Sequence, residues 1–94
     1  MRVEWLKRAS NNLVEIHDYV ALDSAQAASI VVSRIVQSGD RLAHFPLLGR
    51  AGRIEETREL VTPGLPYLLI YRIRDEVIQV IRVLHTSRKR SMQF

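Results

Sequence analysis

The fold is decided by residues 57–85. They read Thr57-Arg-Glu-Leu-Val-Thr62, a Pro63-Gly-Leu-Pro66 corner, Tyr67-Leu-Leu-Ile-Tyr-Arg-Ile73, a charged Arg74-Asp-Glu76 break, and Val77-Ile-Gln-Val-Ile-Arg-Val-Leu-His85. Three strand-like runs follow one another, separated by turn residues and charges. Connections this short pair neighbouring strands antiparallel, so the expectation is a three-stranded meander. The last run is apolar on both alternations: Ile78, Val80 and Leu84 on one, Val77, Ile81 and Val83 on the other. A strand apolar on both sides lies inside a sheet rather than at its edge. Arginine stands in each run, at Arg58, Arg72 and Arg82. Taking a charge out of water costs several kcal/mol unless it is paired. These side chains therefore either reach solvent along their stems or serve a site for something negative.

The preceding half supplies what covers the meander. Met1–Leu6 alternates, with Val3 and Trp5 on one side and Arg2 and Glu4 on the other, as a short edge strand does. From Lys7 to about Leu22 the period changes, and Ala9, Leu13, Ile16 and Val20 recur at helical spacing. Asn11, Asn12, Glu15 and Asp18 fall between them. Asp23-Ser24 is an N-cap signal for a second helix. Its inner stripe is Ala28, Val31, Val32, Ile35 and Leu42, and Phe45-Pro46 stops it. Gly39 lies on that stripe, where a close approach to the first helix would offset the roughly 1 kcal/mol that glycine costs in mid-helix. The connection is short, so the helices pair antiparallel and cover one face of the sheet. Leu47–Glu56, with its basic Gly49-Arg-Ala-Gly-Arg53, reads as a loop. The predicted fold class is α+β, in the order β-α-α-β-β-β: a short N-terminal strand, a helical hairpin and a meander in a single sheet. The 94 residues form one domain, 1–94.

Composition narrows the function classes. The chain is 47 % apolar and 26 % charged, which suits a folded domain rather than a disordered one. It has no cysteine, so neither disulfides nor thiolate chemistry are available. No apolar run reaches membrane-spanning length and no signal-peptide pattern opens the chain, which points to a reducing cytoplasm and no membrane partner. The net charge is +4, and its placement is uneven. Residues 1–49 balance five basic against five acidic side chains, whereas residues 50–94 carry nine basic against five acidic. The excess suits either solubility or a polyanion or acidic protein partner.

Few residues carry chemistry. His17, His44 and His85 are scattered without ligand spacing, so no metal site is expected. No phosphate-cradling glycine loop or nucleophile elbow occurs, and no cofactor is implied. His85 stands apart because it ends an interior strand and precedes a basic tail. Arg58, Arg82 and His85 together have the makings of a metal-free ribonuclease: arginines to hold the phosphate and a group to move a proton. The competing reading pairs Arg58 and Arg82 with Glu55, Glu56 or Glu59 at the sheet surface. Tyr67 and Tyr71 share a face of the middle strand with Leu69 and Ile73, which reads as core packing with hydroxyls at the rim.

Arg58-Glu-Leu-Val61, Pro66-Tyr-Leu-Leu-Ile-Tyr-Arg-Ile73 and Arg82-Val-Leu-His-Thr-Ser-Arg88 resemble the RelE/ParE toxin superfamily of bacterial type II toxin–antitoxin systems. Val3-Glu-Trp5, Ala9, Leu13, Ile16, Ala27-Ala28, Ile35, Leu42, Phe45-Pro46 and Gly49-Arg50 follow the same pattern, so the likeness spans nearly the whole chain. The resemblance implies a compact toxin with a cognate acidic antitoxin that wraps it. Arg50, Arg53, Arg72, Arg88, Lys89 and Arg90 then become candidates for binding antitoxin or target. RelE-like members cut messenger RNA on the ribosome, and ParE-like members inhibit DNA gyrase without a known hydrolytic site. Three departures bear on the choice. The only lysines are Lys7 and Lys89, Thr86 stands where the nuclease branch has tyrosine after the histidine, and Arg90 stands where ParE-like chains often have an aromatic. The helical hairpin and the Leu-His-Thr-Ser-Arg ending favour the ParE branch and a toxin that acts by binding gyrase. The alternative is a ribosome-dependent endoribonuclease using Arg58, Arg82 and His85. A third reading is a member that mainly partners its antitoxin.

Overall fold

The computed structural model describes residues 1–87. Its elements run β1 (Arg2–Trp5), α1 (Lys7–Ala21), α2 (Ala25–Arg41), β2 (Arg50–Ala51), β3 (Arg58–Val61), β4 (Tyr67–Arg74) and β5 (Val77–His85). The expected β-α-α-β-β-β order is present, with one addition. A two-residue strand, β2, forms inside the stretch read as loop, with Arg50 opposite Glu59 and Ala51 opposite Arg58. The sheet is ordered β1-β5-β4-β3-β2. β5 is thus an interior strand and β1 an edge, as their patterns require. The helical hairpin lies between β1 and the rest of the sheet in sequence, so β1 joins β5 in parallel and the sheet is mixed.

Turn chemistry sets the meander. The Leu65 N–H donates to the Thr62 carbonyl at 3.1 Å across Pro63-Gly64, and Gly64 has φ +74°. Proline at the first central position and a positive-φ glycine at the second define a type II turn. Between β4 and β5, Asp75 and Glu76 both take positive φ, 53° and 61°. That pair matches the right-handed twist of a two-residue hairpin, although neither residue is the usual glycine. In β5 the pairing jumps from Tyr71 opposite Val80 to Ile70 opposite Arg82, so Ile81 is an extra residue in the strand.

The helices form for the predicted reasons, with small differences at their ends. The Ser24 hydroxyl accepts from the Ala27 N–H at 3.1 Å and caps α2. The helix ends at Arg41, before Phe45-Pro46, and Leu42–His44 continue as tighter turns. The hairpin buries Ala9, Ile35 and Leu42 against Tyr67, Leu69, Tyr71, Ile78, Val80 and Val83 of the sheet. Gly39 is packed against a different neighbour from the one expected. A Cβ there would lie 2.5 Å from Cζ2 of Trp5, so the close approach is to the β1 indole rather than to α1. None of the described helices is long and apolar enough to cross a membrane.

Candidate binding cleft beside the last strand

β1 covers only the first half of β5. Their pairing ends with Trp5 opposite Val80, and the Leu6 N–H closes it on the Val80 carbonyl at 3.0 Å. The chain then turns into α1, and the outer edge of β5 from Ile81 to His85 has no strand beside it. Backbone groups at such an edge need partners. Asn12 of α1 meets part of that need: its Oδ1 accepts from the Val83 N–H and from Arg82 Nε, each at 3.0 Å.

Between α1 and this edge lies an open cleft of about 440 Å³. Asn12, Glu15 and Tyr19 line it from the helix, and Tyr67, Arg82 and His85 from the sheet. Arg82 and His85 are three residues apart and would face opposite sides of a regular strand. The extra residue at Ile81 precedes both and leaves their alternation unchanged; they meet because the cleft runs along the strand's open edge and is bordered by consecutive residues, Arg82 to His85. Burial pulls the Arg82 guanidinium below its usual pKa, the charge of Arg8 adds to that, and Glu15 opposes it.

His85 is held on two sides. Its ring meets Tyr67 edge-on, with centroids 5.6 Å apart. Its Nδ1 accepts from the Ser87 N–H at 3.1 Å and lies 2.7 Å from the Ser87 hydroxyl. An Nδ1 that accepts from a backbone N–H carries no proton, so this geometry assigns the neutral ring's hydrogen to Nε2. The cleft therefore presents a guanidinium, an imidazole, a carboxylate and two phenols along a sheet edge that no strand covers. It can take a polar or anionic chain laid along β5.

The other sequence-predicted residues lie elsewhere. Arg58 is on β3, two strands from Arg82 and roughly 10 Å away at the usual strand spacing. Its Nη1 donates to the Gly49 carbonyl at 2.8 Å, and it does not line the cleft. The structure thus brings Arg82 and His85 together but not Arg58. Of the glutamates expected at the sheet surface, Glu59 lies 3.7 Å from Arg50 and Glu56 lies 3.8 Å from Arg74. Glu59 is 4 % exposed and also accepts from the Arg53 N–H at 3.1 Å, so one buried carboxylate anchors the basic loop of Arg50 and Arg53. Arg72 donates to Gln79 Oε1 at 2.7 Å across the β4–β5 pair. Arg88, Lys89 and Arg90 lie outside the described residues. Asn12, Glu15 and Tyr19 were not foreseen as site residues. In the sequence they are polar positions flanking a helical stripe, and nothing there signals that α1 runs beside the uncovered half of β5.

The molecule is thus a small α+β module with a cleft along the open half of its last strand. Comparison with known proteins names the class. Residues 3–90 match the family described as the ParE toxin of the type II toxin–antitoxin system parDE. The chain is 42 % identical over 88 residues to the Y4kP protein of Sinorhizobium fredii, covering 94 % of this chain and 91 % of that one. It is 31 % identical over 87 residues to Toxin RelE2 of Caulobacter vibrioides, covering 93 % and 97 %. Among solved structures, the chromosomal ParDE toxin–antitoxin system from P. aeruginosa superposes with a TM-score of 0.82 at 26 % identity, covering 90 % of this chain and 95 % of that chain. The RelBE2 toxin–antitoxin complex from Mycobacterium tuberculosis gives 0.66 at 23 % identity, over 89 % and 95 %, and shares the fold. The chain belongs to the ParE toxin family, within the RelE/ParE superfamily, and is the toxin component of a type II toxin–antitoxin system.

Proposed function

We propose that this chain arrests growth by binding DNA gyrase and is neutralised by a cognate acidic antitoxin, without cleaving RNA. The observation that carries this reading is the separation of the ribonuclease constellation. A phosphate-transfer site needs its cations and proton-moving groups converging on one phosphate. Here Arg58 is turned to the Gly49 carbonyl, away from the cleft that holds Arg82 and His85. The match to the ParE model supports the same branch. The cleft beside β5, with Arg82 and His85 along the half of the strand that β1 leaves uncovered, suits an acidic segment of the antitoxin. Arg50, Arg53, Arg72, Arg88, Lys89 and Arg90 give the second half of the chain a basic excess that favours such a partner.

Titrating purified chain into a gyrase supercoiling reaction tests this directly. Inhibition that is lifted on adding antitoxin is the expected result. Undiminished supercoiling, together with primer-extension stops on translated message, would instead establish the endoribonuclease that uses Arg58, Arg82 and His85.

A further inference from the structure

The turn between α2 and β2 is both greasy and rigid. Phe45 is 60 % exposed, Leu47 65 % and Leu48 41 %. Single exposed apolar side chains are ordinary, but three within four residues make a patch. The backbone beneath them is tied down from several elements. The Phe45 N–H donates to the Arg41 carbonyl and the Leu48 N–H to the Phe45 carbonyl, each at 3.0 Å. The buried Tyr71 hydroxyl donates to the Pro46 carbonyl at 2.8 Å and accepts from the Gly49 N–H at 2.9 Å. Arg58 holds the Gly49 carbonyl at 2.8 Å, and the α-amino group of Met1 holds the Ala43 carbonyl at 2.9 Å. None of these bonds uses the exposed side chains. A turn fixed in this way loses little further entropy when it binds, which is what an interface anchor requires.

The charge around the turn is one-sided. From position 41 to 53 the chain carries Arg41, Arg50 and Arg53 and no aspartate or glutamate, with Asp40 just before it. Glu59, reaching in from β3 to Arg50, offsets only part of this. We propose that Phe45-Pro46-Leu47-Leu48 is a preorganised knob that docks into an apolar pocket with an acidic rim on the folded target protein. The identity of that target as gyrase rests on the function proposed above. A second copy of this chain fits poorly, because a two-fold contact would set the basic rim against itself. An extended acidic tail fits a groove better than a convex turn, and the groove is the cleft at β5. The turn leads directly into β2, which β3 and β4 separate from β5 in the sheet, and none of its residues lines the cleft.

The test uses the full chain carrying Phe45→Ser and Leu47→Ser together, with Leu47→Asp alone as a second variant. Both act on exposed side chains, so melting temperature and antitoxin binding should stay at wild-type values. The proposal expects the concentration for half-inhibition of gyrase to rise by about tenfold or more, and growth arrest to be lost on expression. Arg41→Glu on the rim should weaken inhibition in the same direction but less, and Leu22→Ser, at an exposed position on the helical turn, should leave it unchanged. Variants that inhibit and arrest like wild type overturn the knob, as does loss of antitoxin binding with arrest retained. So would a wild-type dimer in sedimentation that the double variant breaks. If wild-type chain leaves gyrase untouched, the gyrase reading falls separately. Arrest retained by the double variant then overturns the knob, and arrest lost supports it with a different target.

Discussion

Tyr71 ties the sheet to the turn that follows α2, and its chemistry makes a pH-dependent prediction. The ring is fully buried and the hydroxyl bridges Pro46 and Gly49. Burial raises the phenol's pKa, while the Gly49 N–H and the Arg58 guanidinium pull it back. A tyrosine whose folded pKa is raised favours the neutral form in the folded state. Its contribution is complete below the ordinary value of about 10 and is lost as pH climbs through the folded value. Stability should therefore fall above about pH 10, and Tyr71→Phe should flatten that fall. At neutral pH the same substitution leaves the Pro46 carbonyl and the Gly49 N–H without partners and should cost about 1–3 kcal/mol. Urea unfolding of both proteins at pH 7 and at high pH checks the two effects together. The pattern Tyr67-Leu-Leu-Ile-Tyr71 already places this ring in the core, but the partners of its hydroxyl, 22 and 25 residues away, lie in a turn whose residues announce a helix stop and a loop, not this contact.

At the scale of elements, what the sequence makes legible is periodic and what it hides is local. Residues 77–85 read as an interior strand because both alternations are apolar, and β5 indeed lies between β1 and β4. The same evenness conceals the extra residue at Ile81, since an insertion in a uniformly apolar run leaves no break in the pattern. Arg82 and His85 meet at one cleft because it runs along the open edge of β5, and periodicity does not show which half of that edge stays open. Gly39 teaches a similar lesson. Its place on the inner stripe of α2 announces close packing, but only the folded chain shows that the Trp5 ring fills the space. Alanine gains roughly 1 kcal/mol of helix propensity over glycine. Overpacking against a large, partly buried ring that packs on the core costs about 1–3 kcal/mol. Gly39→Ala should therefore be net destabilising, lowering the melting temperature, and a rise instead would mean that the indole has room to move.

Across the whole molecule the chain divides its surfaces. The cleft at β5 is a concave, charged edge suited to an extended acidic segment, and the turn before β2 is a convex apolar knob suited to a folded pocket. Sheet order keeps them apart, β5 near one edge and β2 at the other. A toxin that must meet both an antitoxin and a target has use for two such faces. The uneven charge of the sequence pointed to a basic carboxy-terminal half, and the likeness to known toxins extended over both halves, so family and topology were legible early. The partition into two faces was not, because Asn12, Arg58 and Tyr71 acquire their roles only through contacts across the fold. The central claim is that the chain stops growth at gyrase rather than at the message. The most direct measurement is the topology of a reporter plasmid recovered from cells arrested by the chain. The account predicts relaxed or linearised plasmid, and the same outcome when the chain carries Arg82→Ala and His85→Ala, provided arrest persists. Normally supercoiled plasmid in arrested cells, with arrest abolished by either substitution, would contradict it.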